Sequence, residues 1–162
     1  DVHTASLRGH TLGTAFQPIY SLSHSKAVGH EALLRPTDAA GHPVSPLQLF
    51  EDVPAAEAAW CDTLSRVMHL LNFAAQAQPA QWLFLNIRPE ALMALAQPEQ
   101  LAFLCELLER LKISPSLIVL ELLESAIPPG DAFLHAVAPR AIVFSNYLSI
   151  PHPCFRINWF TN

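Results

Sequence analysis

Three oxygen-bearing side chains stand where the surrounding sequence gives no reason for polarity. Glu31 interrupts the segment AVGHEALLR, Asn86 interrupts WLFLNI, and Glu121 follows four apolar residues in LIVLELL. A lone carboxylate in a buried strand is costly unless it is paired or bound to metal. The two-residue period of a strand puts Asn86 on the face of Phe84, opposite Leu83 and Leu85. On successive strands of one parallel sheet, the three groups would converge at its carboxyl edge, where such folds place their sites. Two carboxylates and an amide oxygen form a hard shell suited to Mg2+ or Mn2+. Any one of the three, taken singly, is equally an ordinary polar group at a strand end; three in register point to a cation.

The elements that must position these groups follow from hydrophobic period. Residues 14–20 (TAFQPIY) and 27–35 (AVGHEALLR) read as two strands around the polar turn SLSHSK, a hairpin pattern. PTDAAGHPVSP at 36–46 is a loop, given its three prolines and one glycine. A helix is expected over 54–78, with Trp60, Leu64, Val67, Met68 and Leu71 as its core stripe. Residues 82–87 form a strand, 98–112 a helix with Leu101, Leu104, Leu108 and Leu111 on one face, and 117–123 a strand. Short strands apolar on both faces, alternating with helices, indicate a parallel sheet covered by helices. That order fits the opening of a (β/α) barrel or a doubly wound sheet. The five glycines spell no phosphate-binding G-x-G-x-x-G, which favours the barrel. Beyond them, 131–138 reads as a short helix, and 141–145 (AIVFS) and 155–160 (FRINWF) as strands. A full barrel takes ~250 residues and at least ~200, so 162 residues imply an incomplete barrel or one whose edge a partner closes.

Composition narrows the function classes. The chain is 51% apolar and only 14% charged, which excludes a disordered tail and suggests that something covers part of its surface. A net charge of −5 gives no general attraction to DNA, RNA or an anionic membrane. Every apolar run is interrupted before the ~18 residues of a membrane span. DVHTASLRGH lacks the features of a signal peptide, so a cytoplasmic location is expected. Cys61, Cys105 and Cys154 are odd in number and widely spaced, which suits buried thiols in a reducing compartment. The histidines show no zinc spacing; His30 is read as a strand residue facing the helices, and Cys61 and Cys105 as helix packing.

FQPIY, HEALLRP, FLNIRP and LELLES, in that order and spacing, resemble the EAL domain family, whose members act on the bacterial second messenger cyclic di-GMP. The name-giving triplet is Glu31-Ala32-Leu33 within a Glu-x-Leu-x-Arg signature ending at Arg35. The resemblance is clear over 16–125, and the tail 126–162 diverges, so 1–162 is read as one truncated domain of this kind. It implies an α/β fold: a TIM-like barrel, here incomplete, whose first strand runs antiparallel to the rest. It implies that Glu31, Asn86 and Glu121 ligate a divalent metal and that Gln17 and Arg35 contact the dinucleotide. An arginine fork suits a phosphodiester, because it donates two parallel hydrogen bonds. Glu124 points away from the face of Glu121 and is read as a strand-end or supporting group. Arg88 stands where the family usually has a small polar residue, and reads as an exposed loop arginine or an added phosphate contact.

The family's chemistry also needs an Asp-Asp-Phe-Gly segment on the next strand, a later lysine and a further glutamate. Two metals then generate hydroxide and stabilise charge growing on the phosphate. Here AIVFS stands at the paired-aspartate strand, with Phe144 and Ser145 at the acidic positions, and Asp131 is the only acid after Glu124. FRINWF resembles the lysine-bearing strand and would put Arg156 at the lysine. Losing one such group costs ~10²–10⁴ in rate. The expectation is a phosphodiesterase-like domain without turnover, serving as a cyclic di-GMP-binding or regulatory module. The alternatives are an active phosphodiesterase forming part of a longer protein, and an interaction module that has lost the nucleotide. Unpaired strand edges further suggest a homodimer or an adjacent regulatory domain.

Overall fold

The computed structural model describes residues 2–23, 25–76 and 81–122, together with the backbone of 141–145 and 156–159. In chain order the elements are β1 (Ala5–Leu7), β2 (His10–Ser21), β3 (Lys26–Thr37), α1 (Pro46–Asp52), α2 (Ala55–Ala75), β4 (Trp82–Ile87), α3 (Pro89–Leu95), α4 (Pro98–Leu111), β5 (Ile118–Leu122), β6 (Ala141–Ser145) and β7 (Arg156–Trp159). All strands lie in one sheet, in sequence order. β1, β2 and β3 form an antiparallel meander, β3, β4 and β5 are parallel, and β5, β6 and β7 are again antiparallel. The result is an incomplete TIM-like barrel whose first long strand, β2, opposes the parallel ones, as the sequence led us to expect.

Alternation along the strands explains the layering. On β3, Ala32, Leu34 and Pro36 are buried towards the helices while Glu31, Leu33 and Arg35 take the other face. On β4, Leu83, Leu85 and Ile87 are buried and Phe84 and Asn86 alternate with them. Ala32, Leu83, Leu85 and Ile87 pack with Leu70 and Phe73 of α2 and Leu104 and Leu108 of α4 in the main core. Leu12, Leu34, Leu49, Cys61 and Met68 form a second core between α1, α2 and the hairpin. Ser45 caps α1, its hydroxyl accepting the Gln48 N–H at 3.1 Å, and Pro46 occupies the first turn. α4 ends at Lys112 in the left-handed region (φ 57°), where the Ile113 N–H closes onto the Leu108 carbonyl at 3.0 Å.

Three features differ from the sequence reading. The short elements β1, α1 and α3 were not expected, because a three-residue strand and helices of two turns give no legible period. The core stripe of α2 is rotated: Met68 is buried as expected, but Trp60 is 60% exposed, Leu64, Val67 and Leu71 are only partly buried, and the buried face also carries Cys61, Asp62, Ser65, Arg66, His69 and Asn72. β6 and β7 occur as expected, but their antiparallel sense reverses the tail. Ala141 pairs with Glu121 and Val143 with Val119, so Phe144 and Ser145 run away from the carboxyl edge. Arg156 pairs with Ser145 and is carried to that same far end. The helix expected at 131–138 lies outside the described residues.

Candidate functional site

Strand register brings the expected residues together. Asn86 pairs with Glu121 across β4 and β5, and Glu31 pairs with Phe84, one pleat below Asn86. The Asn86 amide nitrogen donates to Glu31 Oε1 at 2.9 Å, closing the diagonal. Gln17 stands directly across from Glu31 on β2 and is exposed. Arg35 lies two pleats above Glu31 on the same face, exposed, with Nη1 donating to the Leu34 carbonyl at 3.0 Å. Glu124 and the side chain of Arg156 lie outside the described residues.

The electrostatics favour a cation. Burial pushes the Glu121 carboxyl above its usual range, and the charge of Glu31 adds to that push. The two acids share a face with only a neutral amide between them, an arrangement that leaves negative charge uncompensated. Among the described residues no group of three His, Cys, Asp or Glu side chains clusters, so any metal set here consists of two carboxylates and one amide. That donor set fits Mg2+, Mn2+ or Ca2+ and does not fit a soft metal.

Arg88 is not the exposed loop residue that one reading gave. It precedes α3, its guanidinium lies 4.8 Å from the centre of the Phe50 ring, and its Nε is 3.6 Å from Glu90. His30 faces the helices as expected, meeting the Phe16 ring edge-on at 6.4 Å. Cys61 and Cys105 are buried helix residues, and burial raises the Cys61 thiol; Cys154 lies outside the described residues.

A buried polar stripe on α2 escaped the sequence reading. Asp62 and Arg66 form an ion pair there, each about 95% removed from solvent. His69 Nδ1 lies 2.8 Å from the Thr14 hydroxyl of β2. Asn72 grips the first residues of the chain: its Oδ1 accepts the His3 N–H at 2.7 Å, and its Nδ2 donates to the His3 carbonyl and to Thr14 Oγ1 at 2.8 and 3.2 Å. Because Thr14 already accepts from Asn72, its own proton is available to His69 Nδ1. A cavity of about 150 Å3 opens where this stripe meets the sheet edge, bounded by Asp62, Arg66, His69, Leu34, Phe50 and Asn86. The signal for all this was available: Glu57, Asp62 and Arg66 are the only charged residues in a helix of 21, too few to solvate an outer face.

The sequence profile described as EAL domain matches residues 2–139. Among solved structures, the fold is similar to Klebsiella pneumoniae BlrP1 in a manganese and cy-diGMP complex (TM-score 0.61, 19% identity, 83% of this chain and 33% of that one). It is similar to the Bacillus subtilis YkuI protein, with an EAL domain, in complex with substrate c-di-GMP and calcium (TM-score 0.58, 26% identity, 73% and 29%). It is also similar to the FimX EAL domain from Pseudomonas aeruginosa bound to c-di-GMP (TM-score 0.54, 23% identity, 68% and 44%). The chain thus spans less than half the length of each of these proteins. No curated protein matches it significantly.

Proposed function

The chain belongs to the EAL domain family, and from that premise we propose that it is a cyclic di-GMP-binding regulatory module of bacterial signalling that does not turn the nucleotide over. Glu31, Asn86 and Glu121 hold one divalent cation, Mg2+ or Mn2+, at the carboxyl edge of β3, β4 and β5. Gln17 and Arg35 flank that cation, Arg35 as the partner of a phosphodiester oxygen. Residues 1–162 act as one unit of EAL type, with a second copy or a neighbouring domain against its exposed strand edge. The reducing bacterial cytoplasm suits its buried thiols.

The observation that carries this reading is the meeting of Glu31 and Glu121 around Asn86, with the Glu121 carboxyl strained by burial and by its neighbour. A bound cation would offset both carboxylates and polarise a phosphoryl oxygen. The amide of Asn86 would turn its oxygen to the cation and release its bond to Glu31. Gln17, opposite Glu31 on the exposed strand, and Arg35, further up the same face of β3, would orient the nucleotide over the cation. Absence of turnover rests on AIVFS, which offers no carboxylate to activate water and runs antiparallel to β5.

Calorimetric titration with cyclic di-GMP, with and without Mn2+, tests the binding, and chromatography for the linear dinucleotide tests turnover. Binding that strengthens with Mn2+ and yields no linear product is expected. Arg35→Ala should weaken it by more than ~1.5 kcal/mol, the scale of a charged hydrogen bond. No binding in either condition refutes the proposal, and linear product refutes its non-catalytic half.

A further inference from the structure

The buried Asp62 carboxylate has no part in the cation shell, yet it reaches the turn that carries a member of that shell. Its Oδ1 accepts the backbone N–H of Arg88 at 3.4 Å, across from α2 to the end of β4. Arg88 is two residues beyond Asn86 and is the N-cap residue of α3, a position whose N–H makes no intrahelical bond. Such a donor needs a partner from elsewhere. Asp62 is itself fixed: Arg66 pairs with it, and Arg66 Nη2 donates to Thr63 Oγ1 at 3.1 Å. Behind Asn86 lies the cavity of about 150 Å3, which Asp62 and Arg66 also line. On that side the β4–α3 turn meets the Asp62 carboxylate and the Phe50 ring beside a cavity, not a filled apolar core.

A buried ion pair is a poor device for stability alone, since apolar residues of the same volume often serve better. Its use here is geometric. We infer that Asp62 is a positioning residue, held by Arg66, that sets the height of Asn86 at the sheet edge through the Arg88 backbone. This rests on the proposed cation site; the tether itself is independent of it. Because β4 pairs with both β3 and β5, a slip of its end would separate the Asn86 amide from Glu31 and Glu121 together.

The test compares Asp62→Ala, which removes the acceptor, with Asp62→Asn, which keeps an oxygen in place. Asp62→Leu combined with Arg66→Met removes the tether while filling the interior, should the alanine variant fail to fold. Asn72→Ala serves as a control that destabilises α2 at its far end. Two readouts are taken on the full chain: Mn2+ dissociation by titration, and hydrogen exchange of the Arg88 amide by NMR. We expect Asp62→Ala and the double variant to weaken Mn2+ at least ten-fold and to speed Arg88 exchange at least ten-fold. Asp62→Asn should stay within three-fold on both, and Asn72→Ala should leave Mn2+ affinity within two-fold. Unchanged Arg88 exchange in the double variant, or equal Mn2+ loss in the Asn72 control, overturns the inference. If the unaltered chain binds no Mn2+, the cation reading fails, and Arg88 exchange alone upholds or overturns the tether.

Discussion

His69 makes the fold acid-labile by an amount that can be worked out. Burial drives its imidazole down from 6.5 to about 4, and the nearby positive charge of Arg66 adds to the effect. Its Nδ1 also lies 2.8 Å from the Thr14 hydroxyl, as acceptor when the ring is neutral and as donor when it is protonated. Because the folded-state value is depressed, the stability His69 contributes is fully present above pH 6.5 and is lost as pH falls from there towards 4. Two and a half pH units at 1.36 kcal/mol each amount to about 3 kcal/mol. Against a typical domain stability of ~5–15 kcal/mol that is a large fraction. The assay is urea unfolding, followed by tryptophan fluorescence, at half-unit steps from pH 7.5 to 4.0 for the unaltered chain and for His69→Gln. Carboxylates titrate alike in both proteins and cancel in the difference. The gap between the two midpoints should be constant above pH 7 and should shift by about 3 kcal/mol in favour of the variant by pH 4. Parallel curves over the whole range would show that His69 is protonated without penalty and that its burial has been misjudged.

Glu121 titrates with the opposite consequence. Its raised carboxyl favours the protonated form in the fold, so the cation-free chain loses stability as pH climbs through and above the ordinary carboxylate value. Glu121→Gln should therefore raise the melting temperature near neutral pH while abolishing Mn2+ binding, and Mn2+ affinity of the unaltered chain should increase with pH over the same interval. Asn72→Ala removes three hydrogen bonds to His3 and Thr14 and should cost about 2–3 kcal/mol. Limited proteolysis should then cut the first residues sooner. Gly29→Ala would place a methyl group 2.6 Å from the Trp82 carbonyl oxygen, where β3 meets β4. Neither backbone can retreat without breaking the parallel ladder, so calorimetry should register a loss of about 1–3 kcal/mol.

The shared polar face of Glu31, Asn86 and Glu121 was legible because strands have the simplest period. Glu31, Asn86 and Glu121 each break an apolar run, and alternation alone assigns them to one face. The helix was misread for the converse reason. On α2, Trp60, Leu64 and Leu71 look like a core stripe, yet the helix packs with Asp62, Arg66, His69 and Asn72 inwards, because each finds a partner there. Burial of polar groups is decided by tertiary partners, which no periodicity reveals. Arg88 was hidden in the same way: nothing beside it in the sequence announces Phe50 of α1, whose ring its guanidinium meets at 4.8 Å. The sense of β6 could not be read at all, since a five-residue apolar strand looks the same in either direction.

The β2–β3 hairpin divides the site in time as well as in space. Its two long strands are joined by only four residues and pair over nearly their whole length. Closing so short a loop costs little chain entropy, and contacts between near neighbours in sequence form early in folding. Gln17, Glu31 and Arg35 thus arrive as a preassembled half, while Asn86 and Glu121 must wait for two helical crossovers to be completed. A nascent chain would present these three side chains together before the rest of the sheet edge had been laid down.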